Sequence, residues 1–373
     1  MRLLVVTHAL DQHDPILGFF HEWILGLAKR TQQLIIIADR VGVYQLPPNV
    51  EVHVLQQSSK LKLYRLWRLC FLLVKLLRRA DTVLVHMSPI YAIIAGPFCR
   101  FAGKPMALWY VHGSVDWKLR FAEKIVNRIF TASKESFRLA SKKVEIIGHG
   151  IDTDAFSIPK ETASGYVLLT VGRITERKRL GLLLEAVAVA GGSLPLAWVF
   201  RIVGAPVTDK DLDYQKYLME YADKLGISSH LQFAGPVFHS DLPREYQSAH
   251  LFLHASATGS IDKAVLEAMS TGLPLITSSE AFRSILPKEY IAKTTSVESF
   301  ASMIVGLETH GRDMRLRNII REKFELSDLI RKLEVRLAAL SRYISYGSCF
   351  IPLKKFSNGT RARDEQQSPK EDQ

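Results

Sequence analysis

Three charged side chains and the start of a helix could together bind a diphosphate. An apolar stretch, YVLLTVG, ends at Gly172, and Arg173 and Lys178 follow it directly. Lys263 and Glu267 lie in the first two turns of a later predicted helix, just after another apolar stretch, HLFLHA. A helix N-terminus offers unbonded backbone N–H groups and the positive end of the helix dipole, which suit a phosphate. The pattern predicts a cationic diphosphate clamp, with Glu267 as a hydrogen-bond acceptor for ribose hydroxyls.

A second interpretation of these residues stays open. Arginine and lysine after a strand are commonly no more than solvated charges, and the segment around Lys263 could be an ordinary strand-turn-helix connection. A cation in the first turn of a helix is unfavourable unless an anion binds there. The clamp interpretation therefore depends on Arg173, Lys178 and Lys263 meeting in space.

The elements that would position these residues form two successive runs of strands and helices. Apolar strands alternating with helices indicate parallel sheets covered on both faces. We therefore predict an α/β protein with two Rossmann-like domains facing across a cleft, where ligands bind beyond the carboxyl ends of the strands. The predicted strands are 2–8, 33–39, 50–55, 81–87, 105–111, 128–133, 143–148, 166–172, 196–204, 230–235, 250–255 and 273–277; predicted helices include 17–29, 61–79, 118–127, 296–307, 312–324 and 326–346.

The strand pattern restarts after a polar stretch that begins at Asp152. We predict an N-terminal Rossmann-like domain over residues 1–157 and a C-terminal Rossmann-like domain over 158–346. The remaining residues, 347–373, form a polar tail that is nearly devoid of aliphatic side chains towards its end and is predicted to be disordered.

Composition narrows the functional class. The net charge of +12 calls for an anionic partner such as a nucleic acid, an anionic lipid or a phosphorylated ligand. No nucleic-acid module is recognisable, and neither G-x-G-x-x-G after the first strand of a domain nor a Walker motif is present. The three cysteines are scattered without metal-ligand spacing, so we expect no metal, no cofactor and a reducing, cytoplasmic location.

The segment from Lys60 to Arg79 concentrates much of the positive charge. At helical spacing its basic residues share one side, while leucines line another. Such a helix can lie on an anionic membrane surface, with Trp67 at headgroup level, and would give peripheral contact with the inner face of the membrane. The competing interpretation is a helix packed on a sheet with a basic solvent face. The basic residues are Lys62, Arg65, Arg68, Lys75 and Arg79.

Six short motifs carry a resemblance to a known family. They are VGRITERK at 171–178, FAGPV at 233–237, VLEAMSTGLPLI at 265–276, YVHGS at 110–114, FTASKES at 130–136 and IGHGIDTDAF at 147–156. With these motifs the sequence resembles the retaining GT-B glycosyltransferases of the family 4 type, over residues 1–340 approximately. The last motif is similar to the interdomain segment of that family, with His149 in place of the usual asparagine.

The resemblance implies a role for individual residues. Arg173 and Lys178 would bind the diphosphate of a nucleotide sugar, and Glu267 would hold the ribose. The backbone around Gly235 and Val237 would contact the base. His112 matches a histidine that contacts the donor sugar near the reacting carbon, although a polar residue at a strand end is the alternative. Charge on the leaving phosphate would be stabilised by the cations, with no metal ion required.

One position departs from the family pattern. Members commonly carry a second glutamate eight positions before the ribose-binding one, and Gly259 stands there in this chain. Asp262 could replace that carboxylate, with Lys263 beside it in the donor site, or could simply cap the helix. The donor sugar is therefore left open.

The loop after the first strand is the predicted acceptor site. It offers Asp11, His13 and Asp14 as polar groups, and it contains Gly18 but lacks the paired glycines typical of the family.

Together these observations predict a metal-independent retaining glycosyltransferase that moves a sugar from a nucleotide-diphosphate donor to a glycan or lipid-linked acceptor. Sugar-nucleotide epimerisation or phosphorolysis on the same scaffold is one alternative, permitted by Gly259. A non-enzymatic binder of anionic membrane or nucleic acid is the other.

Overall fold

Two parallel β-sheets form the frame of the protein. The structure is a computed structural model that describes residues 1–14, 17–56, 61–159, 165–257 and 259–345. The first sheet has the strand order β3-β2-β1-β4-β5-β6-β7 and the second has β10-β9-β8-β11-β12. All pairs of neighbouring strands in both sheets are parallel. The predicted architecture of two Rossmann-like α/β domains is confirmed.

The elements of the first domain follow the predicted strands closely. The strands are β1 (Arg2–Leu10), β2 (Gln33–Val41), β3 (Val50–Val54), β4 (Thr82–His86), β5 (Met106–Trp109), β6 (Arg128–Thr131) and β7 (Val144–Ile146); the helices are α1 (Phe19–Ala28), α2 (Lys62–Leu76), α3 (Pro89–Phe101) and α4 (Trp117–Ile125). One face of the sheet packs against α2, α3 and α4. The other face packs against α1 and the last helix of the chain.

The second domain repeats the pattern with five strands. These are β8 (Tyr166–Val171), β9 (Trp198–Val203), β10 (Leu231–Gly235), β11 (Leu251–His254) and β12 (Leu275–Thr277); the helices are α5 (Leu180–Ala190), α6 (Asp209–Lys224), α7 (Leu242–Ser248), α8 (Lys263–Ser270), α9 (Val297–Leu307), α10 (Met314–Lys323) and α11 (Leu326–Ser345). The buried residues of this half form one continuous apolar core.

The last helix, α11, returns to the first domain. Leu329, Ile330, Leu333 and Leu337 are buried in the apolar core formed by α1 and the first sheet. The chain reaches that position through a parallel bridge between Ile151 and Glu325. Packing thus groups α11 with the first sheet, whereas its position in the sequence follows the second domain. The boundaries of the two domains stay a prediction, and residues 347–373 lie outside the described residues.

Strand order fixes where a ligand can bind. In each sheet the order reverses between two neighbouring strands, β1 and β4 in the first and β8 and β11 in the second. Loops that leave the carboxyl ends of such strands run in opposite directions and open a crevice between them. Arg173 follows β8, and α8 follows β11, so both halves of the predicted clamp border the crevice of the second sheet.

Candidate active site

Lys178 lies folded back against the end of strand β8. It belongs to a short 3₁₀ turn, Glu176–Lys178, and a glycine precedes that turn at the strand end. Gly172 has φ +144°, and a Cβ there would come within 3.1 Å of Lys178 Nζ. Glycine is therefore needed at position 172 both for its backbone conformation and for the space that the ammonium group occupies.

Asp262 joins the two halves of the clamp. Its Oδ2 accepts a hydrogen bond from Lys178 Nζ at 2.5 Å and lies 3.2 Å from His254 Nε2. Its Oδ1 accepts from the backbone N–H of Ala264 at 3.3 Å, so the predicted helix cap is confirmed. Burial alone would raise the pKa of the Asp262 carboxyl, but Lys178 and His254 hold that pKa well below its usual range. Arg173, Lys178 and the start of α8 are thus brought to one edge of the sheet.

Lys263 is partly buried between the two domains. Its Nζ lies 3.7 Å from the centre of the Phe19 ring at the start of α1. Burial lowers the pKa of Lys263 to about 8, and the nearby carboxylate of Glu267 only partly offsets this effect. A cation this poorly solvated at a helix N-terminus would be stabilised by a bound anion.

The carboxylate of Glu267 is held in place by a hydrogen bond from a tyrosine. Tyr246 Oη donates to Glu267 Oε2 at 2.9 Å, and His239 Nε2 lies 3.6 Å from Oε1. Only 4% of Glu267 is exposed, and it lines a cavity together with Phe19 and Asp152. This geometry is compatible with the ribose contact, which stays a prediction.

His112 extends from the facing domain towards the arginines. It follows strand β5, and its Nδ1 lies 2.7 Å from Ser114 Oγ and accepts a hydrogen bond from the Ser114 backbone N–H at 3.2 Å. Desolvation together with the charges of Arg177 and Arg173 lowers the pKa of His112. The ring is therefore neutral at pH 7. Because Nδ1 accepts a hydrogen bond, the single ring hydrogen of the neutral imidazole is on Nε2. That Nε2–H group can donate to a ligand.

His149 lies buried between the domains near Lys263. It is 7% exposed, and burial and the charge of Lys263 lower its pKa to about 3. Its Nδ1 has no hydrogen-bond partner among the residues that the structure describes. A buried acceptor or donor left without a partner marks a place where a ligand or water completes the site.

The predicted base contact lies further along the same sheet edge. Gly235 ends strand β10 with φ +73°, and its carbonyl accepts from the N–H of Gly204. Strand β10 is two strands away from β8, which corresponds to roughly 10 Å. Gly235 and Val237 are therefore placed at about a nucleoside's length from Arg173 and Lys178.

The predicted acceptor loop contacts the second domain. Asp11 Oδ1 accepts hydrogen bonds from the backbone N–H groups of His13 and Val43, which holds the loop together. The His13 ring stacks on Phe238, with 4.3 Å between ring centres. Gly18 lies against His239: a Cβ at Gly18 would be 3.4 Å from the Cβ of His239. These residues form a contact between the domains, and their role in acceptor binding stays a prediction.

The predicted basic side of the segment 62–79 faces solvent only in part: Lys62 and Lys75 are exposed, whereas two arginines of α2 and Arg79 of the 3₁₀ turn after it bond to the first domain. Arg65 pairs with Asp39, Arg79 pairs with Glu51, and Arg68 Nε donates to the Val54 carbonyl. These arginines thus bond to acceptors on their own domain. The side that meets solvent is largely apolar, with Leu63 81% and Trp67 59% exposed. Lys60 lies outside the described residues.

Several residues of the site were missed by the sequence interpretation. They do not stand in the recognised motifs at a position with an evident role, and their proximity depends on tertiary packing. The strand-end position of His254 was the only available signal, since it precedes the turn to α8. The missed residues are Phe19, Arg138, Arg177, His239, Tyr246 and His254.

The geometry agrees with comparisons to known proteins. The family described as glycosyl transferases group 1 matches residues 165–310. The UDP-Gal:alpha-D-GlcNAc-diphosphoundecaprenol alpha-1,3-galactosyltransferase of Escherichia coli is 26% identical over 270 residues, covering 62% of this chain and 68% of that enzyme. Mannosylfructose-phosphate synthase of Agrobacterium fabrum is 28% identical over 154 residues, which are 38% of this chain and 34% of that protein.

Solved structures extend the likeness to both domains. Anabaena Alr3699/HepE in complex with UDP and glucose has a TM-score of 0.74 at 16% identity, covering 91% of this chain and 100% of that one. WaaG, a glycosyltransferase involved in lipopolysaccharide biosynthesis, has a TM-score of 0.64 at 15% identity, with 90% and 99% covered. The fold, the family match over residues 165–310 and the similar enzymes lead to one conclusion: this chain is a glycosyltransferase with the GT-B fold.

Proposed function

We propose that this enzyme transfers a hexosyl group from a nucleotide-diphosphate sugar to a glycan or lipid-linked acceptor, with retention of anomeric configuration and without a metal ion. The observation that carries the proposal is the meeting of Arg173 and Lys178 with the start of α8 at the crevice of the second sheet. The distance of 2.5 Å between Lys178 Nζ and Oδ2 of Asp262, the N-cap of α8, supports the proposal that these elements share one site. Two comparisons support a nucleotide-sugar donor: the structural similarity to Anabaena Alr3699/HepE, which was solved with UDP and glucose, and the sequence similarity to the Escherichia coli galactosyltransferase.

In the proposed chemistry, cations held in fixed positions stabilise the negative charge of the leaving group. As the bond between the sugar C1 and the diphosphate oxygen breaks, negative charge grows on the leaving phosphate. Arg173, Lys178 and Lys263 would surround the position at which that charge develops and would stabilise it electrostatically. His112 would donate its Nε2 hydrogen to the sugar from the opposite domain. Resident positive charges of this kind can replace the charge that a metal ion would supply.

A donor screen tests the proposal. Purified protein is incubated with UDP-, GDP- and ADP-sugars, with and without EDTA, and binding is measured by calorimetry and products by mass spectrometry. We expect saturable binding of one nucleotide class, transfer that survives EDTA, and a product whose anomeric proton shows retention by NMR. Absence of binding to every nucleotide sugar would contradict the proposal. Isomerised donor formed without any acceptor would instead support an epimerase.

Donor affinity is expected to fall as pH rises through about 8. Burial lowers the pKa of Lys263 to about 8, so the ammonium that faces the diphosphate loses its proton in this range. The neighbouring His86 and His149 have pKa values of about 3 and stay neutral throughout. Calorimetry between pH 7 and 9 should show weakening by up to about tenfold per pH unit above the pKa, with proton uptake on binding.

Lys263→Arg is the matched control for this effect. A guanidinium keeps its charge over the whole range, so its pH profile should be flat. The diphosphate of a nucleotide sugar does not titrate between pH 7 and 9. Equal slopes for the wild type and Lys263→Arg would remove Lys263 from the donor site.

We also propose that the helical layer formed by α2, α3 and α4 docks on an anionic membrane. No helix in the described part of the chain is long and apolar enough to cross a bilayer. Beyond the exposed Leu63 and Trp67, the layer presents Phe71 and, on α4, Trp117 and Phe121, all at least half exposed. Exposed lysines and arginines flank these apolar groups, and aromatic groups ringed by cations suit the headgroup region. These cations are Lys62, Lys75, Lys118, Arg120 and Lys124.

Replacing Trp67 and Phe71 with serine is expected to reduce binding to anionic vesicles roughly tenfold or more, because two aromatic side chains no longer enter the interface. Flotation with vesicles of phosphatidylglycerol and phosphatidylcholine measures the bound fraction. Tyr217→Ser with Met219→Ser is the matched control, since both side chains are half exposed on α6 of the other domain. Equal loss in both double variants, or no wild-type binding at low salt, would contradict the membrane proposal.

A further inference from the structure

Arg138 of the first domain lies against Gly259 of the second. A Cβ built at Gly259 would lie 3.1 Å from Arg138 Nη2. The same side chain passes the loop that carries His112, since a Cβ at Gly113 would lie 3.4 Å from Arg138 Nε. The guanidinium therefore lies in the cleft, between the turn that leads to α8 and the loop that follows β5.

The turn at Gly259 gives this guanidinium its space. Gly259 has φ +66°, a left-handed conformation that side chains rarely adopt. Apart from its two chain neighbours, a Cβ at position 259 would have only Arg138 Nη2 within 4 Å among the described residues. The position is thus open except for the arginine, so the guanidinium occupies volume that a side chain at 259 would otherwise fill.

Three arginines lie in this part of the cleft, and Asp116 is a carboxylate that also acts on His112 there. Arg138, Arg173 and Arg177 are exposed, and among the described residues none of them forms an ion pair with a carboxylate. Asp262 is already engaged by Lys178 and His254, and Glu267 is engaged by Tyr246. The unpaired charges of Arg173 and Arg177 both lower the pKa of His112, which places them around that ring.

A diphosphate at the crevice of the second sheet would be bound from the second domain. Arg173 and Lys178 follow β8, and Lys263 begins α8 after β11, so these cations are placed to bind its two negative charges. Arg138 comes from the opposite domain and meets the cleft next to His112, where the sugar attached to the diphosphate would lie. An unpaired guanidinium at that position is complementary to a second anionic group, and its planar fork matches a carboxylate with two parallel hydrogen bonds.

We propose that the donor sugar is a hexuronic acid whose carboxylate binds Arg138 beside Gly259. This inference rests on the proposed function, because it names the sugar that the same nucleotide-sugar site accepts. A neutral hexose offers a hydroxymethyl group at the corresponding carbon. Hydrogen bonds to charged groups favour the acid over the neutral sugar by roughly 10- to 150-fold in affinity.

The test compares matched donor pairs that differ only at that carbon. Calorimetry or inhibitor competition measures the affinities for UDP-glucuronate against UDP-glucose and for GDP-mannuronate against GDP-mannose, with free UDP and GDP as references. The wild type is expected to prefer the acidic member of the pair whose base it accepts by about tenfold or more. Arg138→Ala should abolish the preference, while the affinity for the free nucleotide stays unchanged. Arg138→Lys should restore part of the preference.

Lys134→Ala is the matched control, since this exposed cation lies in the same loop and is expected to leave the preference intact. Equal wild-type affinities for the acidic and neutral members would overturn the proposal. If Arg138→Ala weakens the affinity for the free nucleotide as much as the affinity for the acidic nucleotide sugar, the proposal is also overturned and Arg138 is assigned to the diphosphate. A change confined to the KM of the acceptor would assign Arg138 to an acceptor phosphate instead. Failure to bind any nucleotide would be a failure of the proposed function itself.

Discussion

Replacing both Arg173 and Lys178 with alanine is expected to lower kcat/KM by roughly 10³- to 10⁵-fold, or about 4–7 kcal/mol of transition-state stabilisation. The two side chains follow the same strand and are placed to share the charge that develops on the leaving phosphate. Since they act as a unit, the effects of the single substitutions should not add up to that of the pair. Steady-state kinetics with the donor found in the screen measures the loss.

A matched surface pair separates this effect from the loss of two positive charges. Arg283 and Lys288 are exposed in the second domain, and Arg283→Ala with Lys288→Ala should leave kcat/KM within about twofold of the wild type. Lys178 also pairs with Asp262, so the free energy of unfolding must be measured for each variant. A folded double variant with wild-type kcat/KM would remove both residues from the mechanism.

The fold was predictable because each strand of the second domain is short, apolar and bounded by a glycine or a polar turn. Parallel pairing then follows from the alternation of strands and helices, and it brings the loops after β8 and β11 together. For that reason Arg173, Lys178 and the start of α8 could be grouped from the sequence alone. Their detailed contacts could not be predicted, since the pairing of Lys178 with Asp262 spans 84 residues.

Helix α2 shows the other limit of the sequence pattern. Its basic stripe and its leucine stripe are both regular, and either could have faced solvent. Acceptors on strands β2 and β3 hold the arginines against the first domain: Asp39, Glu51 and the Val54 carbonyl bond to Arg65, Arg79 and Arg68 respectively. The apolar side of α2 therefore faces solvent. Arg138 was missed for the same reason, since its proximity to Gly259 exists only once the two domains face each other.

Replacing Asp262 with alanine is expected to lower the free energy of unfolding by about 2–4 kcal/mol. The substitution removes the N-cap of α8, which contributes about 1 kcal/mol. It also leaves Lys178 and His254 without their shared carboxylate, at a site where the side chain of Lys178 is 18% exposed and that of His254 is 3% exposed. Denaturant unfolding followed by circular dichroism measures the difference.

Asp262→Asn separates the two contributions, because asparagine caps a helix as well as aspartate but carries no charge. The pKa of Asp262 in the folded protein lies well below its unfolded value of about 3.9, so the ion pair contributes fully above that unfolded value. As pH falls through the folded pKa, the carboxylate gains a proton and the contribution is lost. The difference in unfolding free energy between the wild type and Asp262→Asn should therefore be constant from about pH 5 to 7 and shrink below about pH 4. A difference close to zero at every pH would mean that the helix cap, and not the charge of Asp262, stabilises the start of α8.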